Sequence, residues 1–99
     1  MSDTGGYRPS PIDTSGVRLT EDLTRLVETL AENAHDTWAV DRLTMGWRYG
    51  PHRDDSVQLH PCLVPYADLS ETEKNIDRDI VVATLRAILA LGYELRRTP

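Results

Sequence analysis

Histidine and cysteine are the most reactive side chains in this chain of 99 residues, which contains three histidines and one cysteine. The run His60-Pro61-Cys62, with His52 upstream, raises the possibility of a zinc site or of a Cys–His nucleophile pair. Structural zinc is usually held by four ligands in closely spaced pairs, whereas here a proline separates a single pair. No G-x-S-x-G or comparable motif frames a nucleophile. We therefore expect no enzyme activity, metal or cofactor, and we interpret Cys62 as a small apolar side chain.

A second pattern, Glu32 and His35, has the Glu-x-x-His form found in carboxylate di-iron bundles. Those sites require a second copy of the motif and two further glutamate-bearing helices, which this sequence does not contain. His35 lies one helical turn before Trp38, beside an apolar stripe. We expect a partly buried histidine whose ring packs on a neighbour.

An aromatic and basic cluster is the strongest candidate for a binding site. Six of its members lie within a dozen residues that include no acid: Arg42, Trp47, Arg48, Tyr49, His52 and Arg53. Tyr66 follows on the returning segment. Guanidinium groups near exposed aromatic rings suit a ligand with a phosphate and a ring that can stack. Alternatively, Trp47 and Tyr49 close the core while the arginines pair with Asp54, Asp55 or the acidic start of the second helix, and the residues alone favour this second interpretation.

Two helices are predicted to position these residues. Thr20 is the N-cap of the first, acidic residues occupy its first turn, and apolar residues follow a 3.6-residue period as far as Met45. Gly46 is placed to end it. The second begins with the capping box at residues 70–73 (SETE) and ends near Gly92.

The segment between the helices contains two short stretches of alternating character, Trp47–Tyr49 and Val57–Leu59, which predict a small antiparallel hairpin. Tyr93–Leu95 alternates as well and could add a third short strand. The fold class expected from these patterns is mainly α with a minor β component. Two long helices are joined by the hairpin and by long ordered loops.

Composition limits the class of protein. Sixteen acidic and eleven basic residues give a net charge of −5, which disfavours a nucleic-acid partner. No apolar run is long enough to span a bilayer, and the N-terminus lacks the pattern of a secretory signal. A single cysteine fits a reducing compartment, so we expect a cytoplasmic protein. The length indicates one domain, residues 7–95, between loose tails at 1–6 and 96–99.

The second helix predicts a homodimer because it is apolar on more than one face. One other helix and a small hairpin can cover only one of these faces. A second copy could cover the remaining face through a stripe that meets its own counterpart across a twofold axis. The residues of that stripe are Ile80, Ala83, Ala87 and Leu91. The alternative cover is the proline-containing N-terminal arm, through Tyr7, Ile12 and Val17.

Several sequence blocks, in order, resemble the repeat domain of ryanodine receptors. They are residues 11–15 (PIDTS), 30–35 (LAENAH), 46–50 (GWRYG), 53–55 (RDD), 60–64 (HPCLV) and 89–92 (LALG). Each block alone is weak, but together they extend over about residues 7–93. The chain looks like a single-copy, stand-alone member of the prokaryotic type.

The resemblance implies a fold of two principal helices with short antiparallel strands and long ordered loops. It implies no catalytic residues, and some members of the family are suspected of sensing nucleotide-derived ligands. In the calcium-release channels such repeats occur in pairs about a pseudo-twofold axis. We expect a non-catalytic module that binds a small anionic ligand, for which nucleotide-derived compounds are candidates, through Trp47, Arg48, Tyr49, Arg53 and Tyr66. The alternative is a protein-interaction module without a small-molecule pocket.

Overall fold

The computed structural model describes residues 6–99. Except for Gly6, the predicted N-terminal tail lies outside these residues. The elements follow in the order α1 (Glu21–Thr44), β1 (Arg48–Tyr49), β2 (Leu59–His60), a short 3-10 helix (Tyr66–Asp68) and α2 (Glu71–Ala90). The protein is therefore mainly α-helical, as the sequence predicts.

Local side-chain and glycine signals define the ends of α1. The Thr20 hydroxyl accepts a hydrogen bond from the backbone N–H of Leu23 at 3.2 Å, which confirms the predicted N-cap. At the other end, Gly46 adopts φ +97°, and the N–H of Trp47 donates to the carbonyl of Arg42 at 3.0 Å. This is a Schellman motif, in which a residue without a Cβ enters the left-handed region and the chain leaves the helix.

Helix α2 begins and ends in the same way. The Ser70 hydroxyl accepts from the N–H of Glu73 at 3.2 Å, which is the serine half of the predicted capping box. Gly92 has φ +98°, and the N–H of Tyr93 donates to the carbonyl of Ile88 at 3.3 Å. No regular element follows Gly92 among the described residues, so the third strand predicted at Tyr93–Leu95 is wrong.

The predicted antiparallel hairpin is also wrong, because β1 and β2 pair in parallel. Arg48 lies opposite Leu59, and Tyr49 lies opposite His60. The N–H of Arg48 donates to the carbonyl of Gln58 at 2.9 Å. The two strands lie side by side but run in the same direction.

Two successive reversals of the chain explain the parallel pairing. After β1 the backbone bends at Pro51 and His52, and it then turns again through Asp54 to Leu59, which exchange two hydrogen bonds of 2.9 Å. The Asp54 carboxylate accepts from the N–H of Ser56 at 3.0 Å and stabilises this second turn. A hairpin needs one reversal, whereas two reversals return the chain in its original direction.

A thin core lies where α1 and α2 pack against each other. Its most buried residues are Leu23, Ala31, His35, Trp47, Tyr66 and Leu85. The N-terminal arm is attached to α2 by Arg86, whose guanidinium donates to the carbonyls of Thr14 and Val17 at 2.6 and 3.2 Å. Val17 is half-buried there, but Tyr7 and Ile12 are exposed, so only part of the arm covers the body.

Candidate functional site

The five predicted ligand-binding residues do not form one surface. Trp47 and Tyr66 are buried, whereas Arg48, Tyr49 and Arg53 are exposed. Strand β1 carries the first two of the exposed residues, and Arg48 donates from its guanidinium to the carbonyl of Trp47 at 2.7 Å. Two of the five residues are therefore core residues in this structure, and three are open to solvent.

Trp47 is enclosed by cationic and aromatic neighbours. The guanidinium carbons of Arg42 and Arg53 lie 5.0 and 5.8 Å from the centre of its ring, and the His60 ring meets it edge-on at 6.0 Å. Arg53 is also paired with Asp55 at 2.8 Å. Trp47 is thus buried and Arg53 is paired with an aspartate, as the core-closing interpretation of the cluster predicts, but Tyr49 is 56% exposed and does not close the core.

Tyr66 joins the two helices through a polar network. Its hydroxyl donates to Glu28 at 3.1 Å, and the same carboxylate receives two hydrogen bonds of 2.7 Å from the guanidinium of Arg78. Arg78 lowers the pKa of Glu28 below its ordinary value, and burial raises the pKa of Tyr66. The Lys74 ammonium lies 5.5 Å from the centre of the Tyr66 ring. These contacts give Tyr66 a structural role between α1 and α2.

A row of five rings, here called the aromatic row, connects Tyr66 with Trp47. Its members in spatial order are Tyr66, His35, Trp38, His60 and Trp47, with ring centres between 4.9 and 6.2 Å apart. His35 is buried and stacks on Trp38 at 5.6 Å, which confirms the predicted packing of this histidine. Its Nε2 donates to the carbonyl of Val64 at 2.7 Å, and this bond fixes the ring.

A cleft of about 250 Å³ opens beside the aromatic row, between α1, the segment after β2, and α2. Trp38, His60, Cys62, Glu73 and Asp77 all line it. Burial, followed by the charge of Glu73, raises the pKa of the Cys62 thiol above its ordinary value of 9.0. The thiol is therefore protonated at neutral pH, and thiolate is the nucleophilic form.

His60 is not placed to activate this thiol, because its Nδ1 accepts a hydrogen bond from the backbone N–H of Cys62 at 3.0 Å. Burial, then Arg53 and Arg42, lower the pKa of His60 below 6.5. Over residues 6–99, no three His, Cys, Asp or Glu side chains are grouped so that they could hold a metal ion. The cleft does not present the arrangement of a Cys–His nucleophile.

A larger cavity of about 700 Å³ lies at the opposite end of α1. Arg25 from α1 and Arg96 and Arg97 from the segment after α2 line it, together with four leucines, Thr20 and Asp22. The Asp22 carboxylate is paired with Arg25 at 2.9 Å. This site was not predicted from the sequence, because its last two arginines lie in residues 96–99, which were expected to form a loose tail. The only sequence signal for this site was that two arginines directly follow Leu95. Arg25 is more than seventy positions away from them in the sequence and meets them only in the folded chain.

Comparison with known protein families gives one match over nearly the whole chain. The model of the RyR domain family matches residues 7–97. This span contains α1, both strands, α2, the aromatic row and all three arginines that line the larger cavity. Neither of the two long helices in the described part of the chain combines the length and apolar character that a membrane crossing requires.

Proposed function

The chain belongs to the RyR domain family, and from that membership we propose that it is a non-catalytic module that binds a small anionic ligand. The observation that carries the proposal is the convergence of Arg25, Arg96 and Arg97 on one cavity of about 700 Å³. Ligand pockets of proteins typically have volumes of about 300–1,000 Å³. Guanidinium groups recognise carboxylates and phosphates through paired hydrogen bonds.

The three arginines keep donors available for such a ligand. Arg97 is paired with no carboxylate in the described residues, and Arg96 has Glu94 at 3.6 Å from its Nε. Arg25 binds Glu21 and Asp22 at 3.1 and 2.9 Å through its two terminal nitrogens. A guanidinium carries five N–H donors, so each group can bind a ligand oxygen without losing its present partner.

The exposed part of the predicted cluster is the rival location for the anion. Arg48, Tyr49 and Arg53 lie at the surface near β1, but Trp47 and Tyr66 are engaged in the core. Arg53 is already paired with Asp55 at 2.8 Å, just as Arg25 of the cavity is paired with Glu21 and Asp22, so pairing does not separate the two locations. Arg48 of the cluster, like Arg97 of the cavity, is paired with no carboxylate among residues 6–99. The cavity differs because three arginines line one volume of about 700 Å³, and we therefore place the ligand in it.

Thermal denaturation in the presence of anions tests both the function and the location. The probes are inorganic phosphate, a panel of nucleotides, and simple carboxylates. A probe at 100 times its Kd should add about 2.7 kcal/mol to the free energy of unfolding, which raises Tm by roughly 10–20 °C. We expect Arg97→Gln to reduce this shift and the matched surface change Arg8→Gln to leave it unchanged.

The variant Arg53→Gln distinguishes the two locations. If it removes the shift while Arg97→Gln retains it, the ligand binds at the predicted cluster and the cavity assignment is wrong. If no anion of the panel shifts Tm of the wild type, the binding function itself is wrong.

A protein-interaction module is the second candidate, and exposure on α2 supports it. Ile80 and Leu91 are 59% and 62% exposed, and Ala83 lies on the same exposed face. Apolar side chains that recur along one helix face commonly pack against a partner. A second copy of the chain is the partner that we propose for this face.

A further inference from the structure

We propose that the ligand of the arginine-lined cavity carries an aliphatic tail beside its anionic head. This inference rests on the proposed function, and it specifies the chemical class of the ligand. The class is an amphipathic anion, such as an unbranched alkyl carboxylate, and not a nucleotide. The reason lies in the side chains that form the walls of the cavity.

Four leucines from three separate parts of the chain line the cavity. Leu23 and Leu26 come from α1, Leu85 from α2, and Leu95 from the segment after α2. Leu23 and Leu85 are buried, so they form the floor, whereas Leu26 is 46% exposed and borders solvent. Unlike the cleft beside the aromatic row, this cavity has no aromatic residue among its described lining residues.

These walls favour methylene groups over a nucleobase. A base gains most from stacking on an aromatic face, and none of the described residues that line the cavity is aromatic. An alkyl chain gains from any apolar surface that removes it from water. Each buried methylene contributes about 0.8 kcal/mol, which corresponds to about fourfold in Kd.

The arginines that line the cavity would bind the anionic head of the ligand. Arg96 and Arg97 follow Leu95 directly in the sequence, and all three residues line the cavity. Arg25 lies one residue before Leu26 on α1, and it is the third cationic residue that lines the cavity. A ligand with its head at the guanidinium groups and its tail on the leucines would contact both the cationic and the apolar lining residues. The one acidic lining residue, Asp22, is already paired with Arg25.

Calorimetric titration with straight-chain carboxylates from butanoate to decanoate tests the inference on the wild-type chain. We expect Kd to fall about fourfold for each added methylene until the tail fills the floor of the cavity. Octan-1-ol, which has the tail without the charge, should bind more weakly than octanoate. Adenosine monophosphate, which has the charge without the tail, should bind more weakly than decanoate.

Two variants connect this dependence to the cavity. Leu26→Asn should weaken decanoate binding several-fold and reduce the dependence on chain length. Leu43→Asn is its matched control, because Leu43 lies on the same helix and is 48% exposed but does not line the cavity. Arg97→Gln should weaken octanoate and leave octan-1-ol unchanged.

The outcomes separate this inference from the proposed function. If Kd is the same for butanoate and decanoate, or if nucleotides bind more tightly than either, the aliphatic tail is wrong and anion binding stands. If the dependence on chain length is present but equal in Leu26→Asn and the wild type, the tail binds elsewhere and the inference is overturned. If no carboxylate, phosphate or nucleotide binds, both proposals fail.

Discussion

At the scale of single residues, charges of both signs act on the pKa of His60 in the aromatic row. Arg53 and Arg42 disfavour its protonated form, whereas Glu73 and Asp55 favour it more weakly. Burial is the largest influence, and it also favours the neutral ring. Because Nδ1 accepts from the backbone of Cys62, the neutral ring carries its proton on Nε2.

We predict that the pKa of His60 lies below 6.5 and that Arg53→Gln raises it, because one repelling cation is removed. Chemical shifts of the histidine ring followed by NMR against pH measure both values. Arg8→Gln, a change on the exposed N-terminal arm, should leave the titration unchanged. A wild-type pKa of 6.5 or higher would contradict the placement of His60 next to the two guanidinium groups.

The lowered pKa of His60 also makes the stability of the protein depend on pH. A histidine whose pKa is lower in the folded protein than in the unfolded chain binds protons preferentially when unfolded. Its contribution to the free energy of unfolding is complete above pH 6.5 and is lost as the pH falls through that value towards the folded pKa.

At the scale of elements, the close approach of β1 and β2 depends on Gly50. A Cβ at this position would lie 2.7 Å from the Cβ of Leu59, well inside van der Waals contact. The strands are only two residues long, so they have few other hydrogen bonds with which to resist separation.

We predict that Gly50→Ala lowers the free energy of unfolding by about 1–3 kcal/mol, since the added methyl group must push the strands apart. Gly16→Ala is the matched control, because a Cβ there meets nothing within 4 Å. Urea denaturation of both variants measures the difference. Equal stabilities would mean that the strands adjust without cost.

At the scale of the whole molecule, the chain is less compact than most domains of its length. Its radius of gyration is 16.8 Å, compared with about 13 Å for a typical domain of 100 residues, and its shortest extent is 23 Å. Tyr7 and Ile12 of the N-terminal arm are exposed, so they do not cover the apolar stripe of α2. The stripe, defined above by Ile80, Ala83, Ala87 and Leu91, is largely open to solvent; Ala87 is half-buried.

We predict that this stripe forms a homodimer interface. Ile80→Glu should shift the protein towards the monomer in sedimentation experiments, because a twofold contact would place the two added carboxylates on the same buried interface. Val40→Glu is the control, since Val40 is 61% exposed on the other helix. A wild type that is monomeric at high micromolar concentration would exclude the dimer.

The sequence alone determined the elements whose signals are local. Thr20 and Ser70 cap the helices through atoms three residues away, and Gly46 and Gly92 end them because glycine enters the left-handed region at little cost. The family was also recognisable, because its blocks stand in order along the chain. The capping and glycine signals depend on spacing within one or two helical turns, so they can be recognised before any tertiary contact is known.

Only the tertiary structure decided the direction of β2 and the composition of the candidate sites. The direction depends on the sum of all backbone rotations between Tyr49 and Leu59, and short alternating segments look the same whether they pair parallel or antiparallel. The sequence left open whether Trp47 closes the core or binds a ligand, and in the structure it is buried against Arg42, Arg53 and His60. Arg25 and Arg97 came to line one cavity because α1 and α2 pack side by side, and their separation along the chain carries no sign of that contact.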